Sequence, residues 1–305
     1  MKQIPRTALL LLLILALFWG GNWPILKIAV REAPVFWFRT VCAWGGAIGL
    51  LLVARASGTP LAVPRKDWLR LGLVGLLSIA GWNAFSGYGI LNLPAGRASM
   101  LAYTMPLWLV ILSVTWLKEK LDLQNGLGIL LGMSGVVLLI GEDMGAVLRS
   151  PVGTLCMLGA AVSWAVGVAL IKKRPFGLPP TVQTAWMMVV GGFPTAALAL
   201  AFESALPPPM SGVAWLAIVY NVLVAGVVCY WAFYKLVNMV PASVAGIASL
   251  IVPVVGVLTG MIFLGEKPTL SDWIALACIV SALGVVLVWP RSAGPAVGRA
   301  EQGKS

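Results

Sequence analysis

The sequence contains no histidine, four cysteines and only ten acidic residues among 305. Every Asp and Glu lies in a loop or near the end of an apolar run, and none lies in the middle of one. These absences remove the usual intramembrane proton relay and the paired acid and base of a hydrolase, and they exclude metal sites built on histidine or carboxylates. No glycine-rich phosphate loop followed by Lys-Ser or Lys-Thr occurs either. We therefore expect neither an enzyme nor a bound cofactor or metal.

The cysteines indicate neither a disulfide framework nor a metal site. They are Cys42, Cys156, Cys229 and Cys278, and all four fall within apolar runs. Their spacing resembles neither a disulfide framework nor a metal site. We interpret them as small apolar packing residues.

Charge is scarce throughout the chain. Charged residues make up 10% of the sequence and hydrophobic residues 60%, with a mean hydropathy of +0.97; soluble proteins carry roughly 25% charged residues. Apolar runs that approach or exceed the roughly 18 residues of a membrane-spanning helix recur along the chain. They predict an all-α polytopic membrane protein with ten spans, numbered 1 to 10 in chain order: 7–28, 34–54, 68–91, 95–117, 123–141, 151–171, 180–202, 212–236, 242–264 and 272–290. The first run lacks a small-residue cleavage site, so we expect an uncleaved span and not a signal peptide.

The net charge of +11 follows the predicted topology. With both termini in the cytoplasm, fifteen of the twenty-one Lys and Arg residues fall on the cytoplasmic side. This asymmetry is the positive-inside pattern of membrane proteins. The basic composition therefore indicates orientation and does not imply a nucleic-acid partner.

The chain contains an internal duplication. Pro94, Pro106 and Glu119 recur 147 residues later as Pro241, Pro253 and Glu266, and Trp68 recurs as Trp215. Each copy holds five spans, and because five is odd, the second copy enters the membrane in the opposite direction. We predict two inverted repeats at 1–145 and 146–290, followed by a cytoplasmic tail at 291–305 that is expected to be disordered. Inverted repeats are common in secondary transporters, which bind substrate near the membrane midplane between the halves.

Aromatic and small polar side chains lie deep in several spans, where an interfacial belt of aromatic residues does not explain them. Some of them will pack as core, and the others are suited to a mainly apolar pocket for an amphiphilic solute. The candidate cavity residues are Trp19, Asn22, Trp82, Asn83, Tyr88, Tyr103, Trp164, Trp186, Tyr230, Tyr234 and Ser249.

Three prolines are candidate hinges: Pro24, Pro106 and Pro253. A proline within a span removes a backbone hydrogen bond and bends the helix, although neighbouring helices often repair the defect. Arg39 lies one and a half turns inside span 2, and we interpret it as a structural anchor whose side chain snorkels to the interface. Without a buried countercharge, a strongly charged sugar phosphate is disfavoured as cargo.

Several motifs resemble a known family. They are Phe18-Trp19-Gly20, Pro34 followed by Arg39, the Pro-Ala pairs at 94–95 and 241–242, Lys118-Glu119-Lys120-Leu121, and the stretch from Gly265 to Leu270. Together they resemble the EamA branch of the drug/metabolite transporter (DMT) superfamily, and within it the YddG-type exporters of aromatic amino acids. Lys118 departs from the pattern, because the family usually has glycine there. The resemblance implies a ten-helix carrier of the bacterial inner membrane with a central cavity lined by spans 1, 3, 4, 6, 8 and 9.

We therefore predict a secondary transporter that exports aromatic and other neutral amino acids, and related metabolites, by alternating access. Its expected partners are the lipid bilayer and a small-molecule substrate, and we expect a monomer or weak homodimer. The first alternative is an exporter of lipophilic cations or other toxic metabolites, which commonly needs a buried carboxylate. A membrane enzyme or a non-transporting scaffold is a further alternative. Proton coupling and facilitated diffusion both remain open.

Overall fold

The computed structural model describes residues 6–93, 98, 101–120, 123–141, 150–203, 207–252, 254–255, 258–259 and 270–285. All regular secondary structure within these ranges is helical, and each of the ten predicted spans contains a helix. Six helical stretches in the described part of the chain are long and apolar enough to cross a membrane: Arg6–Glu32, Val35–Ala56, Arg65–Asn92, Pro151–Lys173, Pro180–Phe202 and Gly212–Met239. The predicted all-α polytopic fold is confirmed.

The helices have the following bounds. Span 1 comprises Arg6–Gly20 and Asn22–Glu32, span 2 is Val35–Ala56, span 3 comprises Trp68–Gly75, Leu76–Gly81 and Trp82–Asn92, span 4 includes Met105–Thr115, and span 5 is Leu123–Gly141. In the second half, span 6 is Pro151–Lys173, span 7 is Pro180–Phe202, span 8 comprises Gly212–Tyr220, Asn221–Cys229 and Tyr230–Met239, span 9 includes Ala242–Ser249, and span 10 includes Leu270–Leu283.

The helix interruptions are duplicated along with the sequence. Span 3 contains a π-helical segment at Leu76–Gly81, and span 8 contains one at Asn221–Cys229. Adding the 147-residue offset to 76–81 gives 223–228, which lies inside the second segment. Likewise, span 4 unwinds at Tyr103 and span 9 at Leu250, again 147 residues apart. Because π-helical turns and broken helices concentrate at functional sites, these positions are candidates for the functional region.

Two of the candidate hinge prolines begin helices after an interruption. Pro106 is in the first turn of Met105–Thr115, and Pro24 is in the first turn of Asn22–Glu32. A first-turn proline removes no helical hydrogen bond, so these residues do not kink a continuous helix. Pro253 lies outside the described residues. A proline that does lie within a helix is Pro194 of span 7, which the sequence analysis did not single out.

The two halves are interleaved. Spans 2 and 7, 4 and 9, and 5 and 10 pack as pairs of equivalent helices, while span 3 packs on span 6 and span 1 on span 8. Glycine allows close approach between spans 2 and 8. A Cβ atom built on Gly46 would lie 2.6 Å from Met188 Cε and 3.2 Å from Gly226 Cα. These contacts place spans 2, 7 and 8 around one central volume.

Carboxylates join helices at the ends of spans. Glu203 accepts hydrogen bonds from the backbone N–H groups of Phe36 (2.8 Å) and Trp37 (2.7 Å), in the first turn of span 2. Glu119 does the same in span 9, where it accepts from Ala242 N (2.9 Å) and from both the N–H (3.2 Å) and the hydroxyl (2.8 Å) of Ser243. Helix N-termini carry unpaired N–H groups and partial positive charge, so both carboxylates satisfy groups that the helix cannot.

Candidate substrate cavity between the two halves

A cavity of about 160 Å³ lies between the halves. Its lining residues come from spans 1 to 4 and 6 to 9: Trp19, Asn22, Leu26, Phe38, Arg39, Cys42, Ala43, Ile79, Trp82, Asn83, Ala102, Tyr103, Met105, Trp164, Met188, Asn221, Ala225, Gly226, Tyr230, Phe233, Ser249 and Val252. Spans 2 and 7 therefore join the six spans that the resemblance implied. A cavity of about 150 Å³ is enough to hold a benzene ring, so the volume suits a small solute.

Equivalent positions of the two repeats meet in the lining. Four pairs of lining residues are separated by 147 residues: Ile79 and Gly226, Asn83 and Tyr230, Ala102 and Ser249, and Met105 and Val252. The first pair lies in the π-helical segments and the last two flank the breaks in spans 4 and 9. Equivalent positions of both repeats therefore line the same cavity. Inverted-repeat transporters bind substrate in such a place, between their two halves.

The lining includes eight of the eleven candidate cavity residues and not the other three. The eight are Trp19, Asn22, Trp82, Asn83, Tyr103, Trp164, Tyr230 and Ser249. Those outside it are Tyr88, Trp186 and Tyr234, and each has a different physical reason.

Tyr88 is 46% exposed on the outer side of span 3. Trp186 is held at one end of the bundle, because its Nε1 donates to the Leu61 carbonyl at 2.9 Å and its ring packs edge-on against Trp68 at 5.1 Å. Tyr234 is fully buried behind the lining, stacked on Trp164 with ring centroids 6.2 Å apart. We therefore correct the sequence-based placement of these three residues.

An aromatic cluster forms one wall of the cavity. Its lining members are Trp19, Trp82, Trp164, Tyr230 and Phe233, and Tyr234 packs behind them. Trp164 is at its centre, and its ring lies 5.1 Å from Trp82, 5.4 Å from Phe233 and 5.6 Å from Tyr230. Trp19 completes the wall from span 1, at 5.9 Å from Trp164. Edge-to-face pairs of this kind contribute about 0.5 to 1.5 kcal/mol each beyond their buried area. The cluster joins spans 1, 3, 6 and 8, so it couples the two halves.

Two amides from opposite halves form a hydrogen-bonded pair in the lining. Asn221 Nδ2 donates to the Ala217 carbonyl at 2.9 Å, which orients its Oδ1 to accept from Asn22 Nδ2 at 2.9 Å. This arrangement leaves Asn22 Oδ1 buried and, among the described residues, without a hydrogen-bond donor. An unused acceptor at membrane depth is costly unless a ligand or water uses it.

Arg39 lines the cavity, so its expected role as a snorkelling anchor is wrong. Its Nη2 donates to Ser86 Oγ at 3.4 Å, which is long for a hydrogen bond, and its Nε is buried without a partner among the described residues. The cavity therefore contains a cationic group, contrary to the expectation that no buried countercharge is present. The sequence gives the depth of Arg39 along span 2, but it does not give the direction in which the side chain points from the helix.

Arg39 and Asn221 are the polar lining residues that the candidate site omitted. A signal for both was present, because Arg39 is the only charged residue in the predicted range 34–54 of span 2 and Asn221 is an amide within an apolar run. Ionisable residues within membrane spans are functional candidates by default. Within the described residues, no group of three or more Cys, Asp or Glu could hold a metal ion.

Comparison with known proteins gives the family. The sequence profile of the EamA-like transporter family matches residues 6–141 and again residues 151–288, which together make up most of the chain.

The chain belongs to the EamA-like transporter family.

Several named transporters of this kind align along nearly the whole chain. The chain is 28% identical over 292 residues to the uncharacterized transporter YvbV of Bacillus subtilis, covering 94% of this chain and 93% of that protein. It is 28% identical over 279 residues to the uncharacterized inner membrane transporter YedA of Escherichia coli, covering 91% and 89% respectively. A solved crystal structure superimposes with a TM-score of 0.80 at 22% identity, covering 94% of this chain and 99% of that one, so the two chains share a fold. The protein is thus a membrane transporter.

Proposed function

We propose that this EamA-like protein exports small neutral amino acids, aromatic ones included, across the bacterial inner membrane by alternating access. In this proposal both termini are cytoplasmic and the substrate binds in the central cavity. The halves exchange conformations around it, bending at the interruptions of spans 1, 3, 4, 8 and 9. The inner-membrane location draws support from the similar transporter of Escherichia coli named for that membrane.

The supporting observation is the composition of the cavity. An aromatic wall offers a surface for an apolar or aromatic side chain, while Asn22, Asn221 and Arg39 offer polar contacts on the remaining sides. Ligand sites typically combine a mostly apolar lining with a few placed polar groups. A volume of about 160 Å³ is enough for an aromatic ring.

The alternative cargo, a lipophilic cation, fits this lining poorly. Arg39 is positively charged and lines the cavity without a carboxylate neighbour among the described residues. A cationic solute would therefore meet repulsion in a medium of low dielectric constant.

The test is counterflow in liposomes. Purified protein is reconstituted into vesicles preloaded with unlabelled phenylalanine, and accumulation of labelled phenylalanine is followed without an ion gradient. We expect accumulation above that of protein-free vesicles, and competition by tryptophan and leucine. Absence of accumulation, together with counterflow of a lipophilic cation such as tetraphenylphosphonium, would contradict the proposal.

A second condition tests coupling. No histidine occurs in the chain, and no carboxylate lines the cavity among the described residues. We therefore expect an imposed pH gradient to leave the initial rate of phenylalanine uptake unchanged. A rate that follows the gradient would establish proton coupling through a group elsewhere.

A further inference from the structure

Arg39 is an unusual residue for the interior of a membrane protein. A charged residue at the centre of a membrane helix costs about 2.5 to 3.5 kcal/mol on insertion scales, and such residues normally pair with an opposite charge. The guanidinium has five N–H donors. The interaction recorded for them is the long contact from Nη2 to Ser86 Oγ at 3.4 Å, and Nε is buried without an acceptor among the described residues.

Four carboxylates in the described part of the chain are engaged elsewhere. Glu32 accepts from Ser211, Asp67 pairs with Arg70, and Glu119 and Glu203 bind the N-termini of spans 9 and 2. The remaining acidic residues all lie in loops or near span ends in the sequence. Among the described residues, no carboxylate pairs with Arg39, so its positive charge is available to a bound anion.

We propose that Arg39 binds the carboxylate of the substrate and that Asn22 Oδ1 accepts a hydrogen bond from its ammonium group, a substrate-class assignment that rests on the proposed function. Arginine presents a planar fork of donors that matches a carboxylate oxygen pair. Asn22 Oδ1 is the complementary buried acceptor, held in place because Asn22 Nδ2 is committed to Asn221. The aromatic cluster then contacts the side chain of the substrate.

This arrangement predicts which fragments of phenylalanine bind. 3-Phenylpropanoate keeps the ring and the carboxylate, whereas phenethylamine keeps the ring and the ammonium group. Because a formal positive charge lines the cavity, 3-phenylpropanoate should compete with labelled phenylalanine in counterflow better than phenethylamine does.

The test compares Arg39→Gln with Arg31→Gln, which removes the same charge from an exposed position at the end of span 1. Removing one partner of a buried charge pair typically costs about 2 kcal/mol or more, and about 1.4 kcal/mol is a factor of ten, so Arg39→Gln should raise the half-inhibitory concentration of 3-phenylpropanoate by at least about thirtyfold. Arg31→Gln should leave it unchanged. Asn22→Ala should weaken competition by phenethylamine and spare 3-phenylpropanoate. Equal inhibition of wild type and Arg39→Gln by 3-phenylpropanoate, with phenylalanine still transported, would overturn the inference and leave the proposed function standing.

A binding measurement separates the two proposals when phenylalanine is not transported. We expect 3-phenylpropanoate to raise the melting temperature of the detergent-purified wild type and of Arg31→Gln, but not of Arg39→Gln. That pattern would support an anion site at Arg39 even with a different cargo, and no shift in the wild type would overturn it. If Arg39→Gln does not fold, Arg39→Lys serves instead, because lysine keeps the charge but lacks the planar fork, and a reduced shift is expected.

Discussion

Replacing Trp164 tests whether the aromatic cluster shapes the transport site. The side chain is 3% exposed, and its ring contacts five other aromatic rings with centroid distances from 5.1 to 6.2 Å. Truncating a buried tryptophan to alanine costs about 3 to 5 kcal/mol of stability. In Trp164→Ala we expect a loss of that size together with a strong reduction in phenylalanine counterflow, because the cavity loses the centre of its wall. Trp164→Phe keeps a ring and should retain part of both properties.

The matched control is Trp186→Ala, which removes the same side chain from span 7 outside the cavity. Trp186 bonds to the Leu61 carbonyl and packs on Trp68, so its loss should lower stability without changing the KM for phenylalanine. Stability is followed by thermal unfolding in detergent, and transport is normalised to the amount of monodisperse protein. A Trp164→Ala protein with wild-type KM and selectivity would refute the assignment of the cluster to the site.

Two further predictions concern the framework around the cavity. Glu119→Ala removes the acceptor for three hydrogen bonds at the start of span 9. The free energy of unfolding should therefore fall by about 0.5 to 2 kcal/mol, as it does when other helix caps are lost. An unchanged melting curve would contradict this role of Glu119. Gly46→Val should destabilise the protein by about 1 to 3 kcal/mol, because the added atoms collide with Met188 and Gly226. Gly72→Ala should not destabilise it, because the added atom meets no other atom within 4 Å. Equal melting temperatures for the two variants would show that spans 2 and 8 do not pack this tightly.

Much of the architecture could be predicted from the sequence. A membrane requires long apolar helices, and the duplication is visible in a few prolines and glutamates that recur at one offset. The matched positions of Pro94, Pro241, Glu119 and Glu266 predicted the repeat, and the predicted bounds of spans 2, 3, 6, 7 and 8 lie within three residues of the observed helices. The EamA family assignment followed from the same motifs. The two-repeat domain boundaries and the orientation of the termini stay predictions.

The site was harder to predict, because a sequence reports depth along a helix better than the direction a side chain faces. Trp164 and Trp186 are the same residue type within apolar spans, yet one lies in the cavity wall and the other bonds to a loop carbonyl. Arg39 was interpreted by its distance from the helix end, when its rotation about the helix placed it in the cavity. The π-helical segments in spans 3 and 8 also had no recognised sequence signal, because they differ from α-helix only in backbone hydrogen bonding.

The central claim is that substrate binds between the halves, and filling the cavity from either half tests it most directly. Ala102 and Ser249 are equivalent lining residues next to the breaks in spans 4 and 9. The measurement is equilibrium binding of labelled phenylalanine to purified wild type, Ala102→Trp, Ser249→Trp and the exposed control Tyr88→Trp, each verified by its melting curve. We predict that both cavity substitutions abolish binding and that the control binds like wild type. Folded Ala102→Trp and Ser249→Trp proteins that bind phenylalanine with wild-type affinity would contradict the account.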